Sequence, residues 1–207
     1  ELVGVAMAVV PGKACYVPLR HVGKNTINAE GQTGLDFKAS KDEPPPKQIP
    51  FDEAMSLLRN VCEDPSILKI GHNLKYDSHV LMRPCNGGIQ MTPVDDTMCL
   101  SYVLDTGIVE RHSLDYLASH WLDYQTIKYE DVCGRGSKQV PFSSLTPDAA
   151  LDYAAEDADI TLRLWQLLKP RLAGSGVASV YERLERPLIP VLAQMESRGI
   201  IVEQSIL

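Results

Sequence analysis

Asp148-Ala-Ala-Leu-Asp-Tyr-Ala-Ala-Glu-Asp-Ala-Asp159 is the stretch on which the reading of this chain turns. Its alanines predict a helix, and it carries five acidic residues and one tyrosine in twelve positions. Tyr153 and Asp157 are four apart, so the helix brings them to one face, a turn from each other. Leu151, Ala154, Ala155 and Ala158 give it a small apolar surface for close packing. Acids in the first turn complement the helix dipole, which accounts for Asp148. Asp157 lies beyond the first turns, where the dipole has faded, and a carboxylate beside a phenol there suits a metal and its water.

Outward from that helix, the chain alternates strand and helix signals, which predicts an α/β fold. Leu2–Val10 and Ala14–Leu19 are apolar runs separated by Pro11-Gly12, a hairpin, and the first has so little polar alternation that it reads as a strand buried on both faces. Residues 23–50 lose all periodicity and end in Pro44-Pro45-Pro46, a long surface loop. Phe51–Val61 has apolar residues at helical spacing with Asp52 and Glu53 in its first turn. Ile67–Ile70 reads as a short strand that Gly71-His72-Asn73 ends, and a helix runs from Leu74 to Met82. That junction puts polar groups at the carboxyl end of a sheet, where α/β proteins build sites. Asn73 and Asp77 are again one turn apart.

Asp95 and Asp96 read as caps of a helix reaching Leu104, Ser113–Trp121 as a short amphipathic helix, and Thr126–Lys138 as irregular, with Arg135 and Lys138 in a glycine-containing loop. The central helix runs from about Pro147 to about Leu172. Val180–Arg198 is a last helix kinked by Pro187 and Pro190, and Ile200–Val202 looks like a strand.

Composition narrows the classes. The 207 residues are 44% hydrophobic, enough for a full core. A formal charge of -7, from 27 acids against 20 bases, argues against a protein that coats nucleic acid by bulk charge, but not against a local groove. The five cysteines are widely spaced with no C-x-x-C pair, as in a reduced cytosolic protein. No apolar run reaches the roughly 18 residues of a membrane span. The histidines have no metal-ligand spacing. Trp121 and Trp165 occupy apolar helical positions and read as core. Asp77 and Asp157 offer hard oxygen donors for Mg²⁺ or Mn²⁺, though two carboxylates are too few to hold two metals.

Four segments occur in a telling order: Gly71-His-Asn-Leu-Lys-Tyr-Asp77, Asp96-Thr-Met98, Arg111-His-Ser-Leu114 and Tyr153-Ala-Ala-Glu-Asp157-Ala-Asp159. Together they resemble the 3′–5′ proofreading exonuclease domain of bacterial family A DNA polymerases, a DEDD-type nuclease of the tyrosine variant. The resemblance spans nearly the whole chain outside residues 23–50. It implies a ribonuclease H-like mixed sheet flanked by helices, an exonuclease domain over residues 1–176, and the start of the polymerase region over 177–207. It implies hydrolysis of 3′-terminal phosphodiesters of mispaired or single-stranded DNA with two divalent metals, Mg²⁺ or Mn²⁺, Zn²⁺ being an option at the first. Asp157 would hold the first metal directly, Asp77 the second through water, and Tyr153 would orient the attacking water. Asn73 and Tyr76 would contact a frayed 3′ end, Arg111 the backbone near the cleaved phosphate, and Tyr129 would stack on a base. His72, a further DNA contact, stands where close relatives have glutamine. Asp96, read here as a cap, lies near the site in the family. The implied partners are a single-stranded or frayed 3′ DNA end and a polymerase domain in the same parent chain, in the bacterial cytoplasm near the nucleoid, with no membrane.

In the resembling family a strand bearing D-x-E precedes the first strand seen here and supplies two more carboxylates. No such motif stands before Leu2, and Glu1 is a single acid. The expectation is therefore that the piece has little nuclease activity by itself, binds no metal or one, and exposes a sheet edge through which it self-associates. A catalytically vestigial platform for the polymerase and a ribonuclease D-like RNA-trimming enzyme are the alternative readings.

Overall fold

The computed structural model describes residues 2–22 and 46–203. Glu1 and most of the expected surface loop, residues 23–45, lie outside the described residues.

The hairpin forms as expected. β1 (Gly4–Val10) and β2 (Lys13–Pro18) pair antiparallel around the Pro11-Gly12 turn. The backbone N–H of Gly12 donates to Asp159 Oδ1 at 2.6 Å, which pins the turn to the central helix. β1 is not buried on both faces: all its residues keep some exposure, and Val9 at its tip is 83% exposed. Within the described residues β1 pairs with β2 alone, so its second edge stays open. A second sheet joins β3 (Lys69–Gly71) in parallel to β4 (Val94–Asp96), a strand the acidic pattern had concealed.

The helices are α1 (Phe51–Cys62), α2 (Leu74–Leu81), α3 (Thr97–Asp105), α4 (Leu114–Leu122), a one-turn α5 (Tyr129–Cys133) and the 29-residue α6 (Pro147–Ser175). α5 lies in the stretch expected to be irregular; the Asp131 carboxylate accepts from the Lys128 N–H and closes this short turn. Thr146 caps α6 by accepting from the Ala149 N–H, and Gly176, in the left-handed region, ends it. α6 packs against β1, β2 and β3, so one helix spans both sheets. Its other side buries Ile160 and Leu164 against Leu117 of α4, and Leu168 and Leu172 against Leu100 of α3. A separate cluster joins Leu2 and Leu19 beside the hairpin to Met55 and Leu58 of α1.

The last expected helix is interrupted. A turn at Ala178–Val180 (α7) leads into a π-helical turn, Tyr181–Glu185, and then into α8 (Arg186–Arg198). Pro187 has no N–H and would crowd the carbonyl of Arg183 four residues back, and the widened turn falls at this point. Ile200–Val202 forms no strand, and Ile201 is 99% exposed, because no described segment offers its backbone a pairing partner.

Asp95, expected to cap a helix, is instead fully buried at the centre of this packing. Its carboxylate accepts from Trp165 Nε1 at 2.8 Å, Lys169 Nζ at 3.0–3.1 Å and the Tyr181 hydroxyl at 3.0 Å. Arg186 lies 3.5 Å away. Glu182 shares both cations, 2.7 Å from Lys169 and 2.6 Å from Arg186. Four elements thus meet on one carboxylate: β4, α6, the π turn and the start of α8. Asp95→Ala is expected to lower unfolding free energy by about 3–5 kcal/mol, since it strands the buried partners of a charge; urea denaturation measures this.

Candidate active site

Gly71-His72-Asn73 forms the turn from β3 into α2. A side chain at Gly71 would run into the side chain of Leu74. Asn73, at the N-cap of α2, adopts left-handed backbone (φ 59°). The turn is held from β4. Asp96 Oδ2 accepts from the Leu74 N–H at 2.6 Å and Oδ1 from the Asn73 N–H at 3.3 Å. Oδ1 also accepts from Met98 and Cys99, so Asp96 does cap α3. One carboxylate therefore fastens the N-termini of two helices.

His72 is held by a relay. The Thr97 hydroxyl donates its proton to the Gly71 carbonyl, so it accepts from His72 Nδ1, which carries the hydrogen. Nε2 is buried with no hydrogen-bond partner among the described residues. Burial lowers the pKa of His72 against the opposing pull of the Asp96 carboxylate and of the His112 backbone, leaving the ring neutral.

Asp77 follows one turn into α2. Its side chain is exposed to solvent. Desolvation, and then the charge of Asp96, push its pKa up to about 6. Asp157 on α6 is half-buried, and desolvation again raises it to about 6; Asp115 and Glu156 add to the rise while a hydrogen bond from the Tyr153 hydroxyl opposes it. The mutual influence of the two groups accords with the shared face that their four-residue spacing gives on α6. Burial first, and then Asp157, raise the Tyr153 phenol, so it stays protonated and able to donate.

An aromatic group backs Tyr153. Phe142 lies 5.9 Å from its ring and Tyr129, half-exposed, stands edge-on at 6.1 Å. Tyr76 is 65% exposed and close enough to Tyr129 to act on its phenol. Arg111 and Asn73 are exposed. The sequence reading missed two residues here. Asp115, on α4, bears electrostatically on His72, Tyr153 and Asp157 at once, and so links the two halves of the site. Its place just after Arg111-His-Ser-Leu114 was the available signal. Glu156 accepts from the Tyr124 hydroxyl and the Ile127 N–H, both at 2.7 Å, and so anchors the segment that leads to Tyr129.

Neither Asp77 nor Asp157 has a cationic partner among the described residues. Two raised, unpaired carboxylates amid the further acids Asp96, Asp115 and Glu156 fit a divalent cation, although no three-ligand cage exists among the described residues. This site, on helices packed against short sheets, has the character of a ribonuclease H-like metal-dependent nuclease.

The comparisons agree. The sequence profile of the 3′–5′ exonuclease domain of family A DNA polymerases matches residues 6–173, and the chain belongs to that family. DNA polymerase I of Rhizobium leguminosarum is 46% identical over the whole chain, which covers 20% of that protein; the Pseudomonas aeruginosa DNA polymerase I is 38% identical, with 21% covered. The chain thus spans about a fifth of the length of the curated relatives it matches. Among solved structures, Brucella melitensis NrnC bound to pGG superposes with a TM-score of 0.55 at 26% identity, covering 69% of this chain and 64% of that one. NrnC with bound Mg²⁺ gives 0.54 at 25% identity over the same shares. No described helix is long and apolar enough to cross a membrane.

The raised carboxylates set a pH signature. A group protonated more readily in the folded than in the unfolded chain costs stability as pH rises from its unfolded pKa, near 4, to its folded value, near 6. Asp157→Asn is therefore expected to match the wild type near pH 4 and to be more stable by about 1–2 kcal/mol above pH 7, after allowance for partial solvation. Metal-free urea denaturation across that range tests it.

Proposed function

We propose that this chain is the editing domain of a DNA polymerase I and removes nucleotides from mispaired or single-stranded 3′ ends. The feature that supports the reading is the pairing of Tyr153 and Asp157 one helical turn apart, each acting on the other's proton affinity, on the chain that also presents the uncompensated carboxylate of Asp77.

In this reading Asp157 binds the first divalent metal, Mg²⁺ or Mn²⁺ with Zn²⁺ as an option, and Asp77 the second through water. When bound, the metals supply a hydroxide-like nucleophile and neutralise the leaving oxygen. The chain's own residues orient and hold. Tyr153, kept protonated, fixes the attacking water by hydrogen bond. Phe142 and Tyr129 hold its ring, and the exposed part of Tyr129 offers a face on which any terminal base can stack. Asn73 and Tyr76 project from the start of α2 toward the same 3′ end. His72, with Nδ1 on Thr97 and Nε2 buried, presents no open nitrogen to that end. Arg111, exposed and outside every described ion pair, is free to take a backbone phosphate.

Two carboxylates do not hold two metals. We place the missing donors on a further strand between the hairpin and the β3–β4 sheet. Both sheets rest on α6, and each has an edge with no partner among the described residues. Residues 1–176 then form the exonuclease unit, and 177–207 open the polymerase region of the parent chain.

In the full-length parent, Tyr153→Phe is expected to lower kcat for single-stranded DNA trimming by roughly 10²-fold with KM unchanged. Asp157→Ala should reduce it further and abolish the response to added Mg²⁺, while polymerisation continues. Undiminished trimming by the Asp157→Ala protein would remove the reading. A gel assay of labelled single-stranded oligonucleotide measures both.

A further inference from the structure

We propose that Tyr181, in the π turn, is a positioning residue for Asp77: its hydroxyl, acting through β4, sets the start of α2. The contacts form an unbroken path. The hydroxyl donates to Asp95 Oδ1 at 3.0 Å and accepts from the Asp96 N–H at 3.1 Å, so one oxygen fixes both residues at the end of β4. The Asp96 carboxylate then accepts from the Leu74 and Asn73 N–H groups, and Asp77 stands on the next turn of that helix. Asn73 is held in left-handed backbone that costs a non-glycine residue energy, so the turn depends on what clamps it.

A second grip comes from the same segment. α8 packs along α2, and Glu196 binds Lys75 at 2.6 Å and His79 at 2.7 Å. These two residues flank Asp77 in sequence on either side. The C-terminal segment thus touches α2 both at its cap, through Tyr181 and β4, and along its flank, through Glu196. The π turn has a role in this. It separates fully buried Tyr181 from the proline-bearing helix that follows, so the hydroxyl is set by the core while α8 follows α2.

The hydroxyl can be separated from the ring. The ring packs with Leu100, Leu168 and Leu172, and phenylalanine would keep that packing while deleting both hydrogen bonds. The path from Tyr181 to α2 stands on geometry alone, whereas the effect on turnover rests on the nuclease reading given above, so two measurements are needed.

In this 207-residue chain, Tyr181→Phe is expected to accelerate amide exchange at Asn73 and Leu74 by about tenfold, with exchange in α4 and in the centre of α6 unchanged. In the full-length parent the same substitution is expected to lower kcat for 3′-end trimming about tenfold or more, leaving KM for DNA and the polymerase rate as they were. Unchanged exchange at residues 73–74, or a rise spread evenly over all helices, overturns the proposal. So does local loosening of α2 with undiminished kcat, since Asp77 would then not depend on the path. If the wild-type parent trims no 3′ ends, the nuclease reading falls and with it the claim on Asp77, while the exchange data still decide whether Tyr181 holds α2.

Discussion

Two adjacent aspartates at the end of β4 support the rest of the structure, and they do so by opposite means. Asp95 is withdrawn from water completely and is tolerable there only because Trp165, Lys169, Tyr181 and, at longer range, Arg186 surround it. Asp96 spends its charge on backbone, accepting from four N–H groups at two helix starts. Alternation along the strand sends the two side chains to opposite faces. One therefore ties β4 to α6 and the C-terminal segment, and the other ties it to α2 and α3.

The site inherits its geometry from these ties. Asp77 is placed by α2, whose start Asp96 holds, and Asp157 is placed by α6, which Asp95 fastens to β4 through Trp165 and Lys169. The two carboxylates share no helix and no hydrogen bond. Their relation is set by a strand whose acids neither bind DNA nor move protons in the proposed reaction. Both carboxyls are raised for the same reason, desolvation with acids nearby and no cation in contact.

Much of this was legible in the sequence, because it is local. The Tyr153–Asp157 face, the first-turn acids of α1 and the hairpin at Pro11-Gly12 depend on spacings of a few residues, which backbone geometry converts directly into position. β4 was hidden because its three residues, Val94-Asp95-Asp96, carry two acids and resemble a helix cap. The expectation was half right: Asp96 caps and Asp95 does not. Trp165 was read as core, and it does pack there, but its indole N–H also answers a buried charge that no periodicity reveals. α5 escaped notice because five residues are too few to display a period.

By itself, then, the sequence determined the α/β class, the order of the elements and the pairing of phenol with carboxylate on α6, since each follows from neighbours along the chain. The tertiary structure alone decided that Asp95 is a buried hub, that Asp115 bears on groups of both halves of the site, and that Tyr181 bonds to both acids at the end of β4. The contacts responsible join residues 70 to 86 positions apart. Burial and charge at that separation come from how α6 and the π turn fold back over β4, which no local spacing encodes.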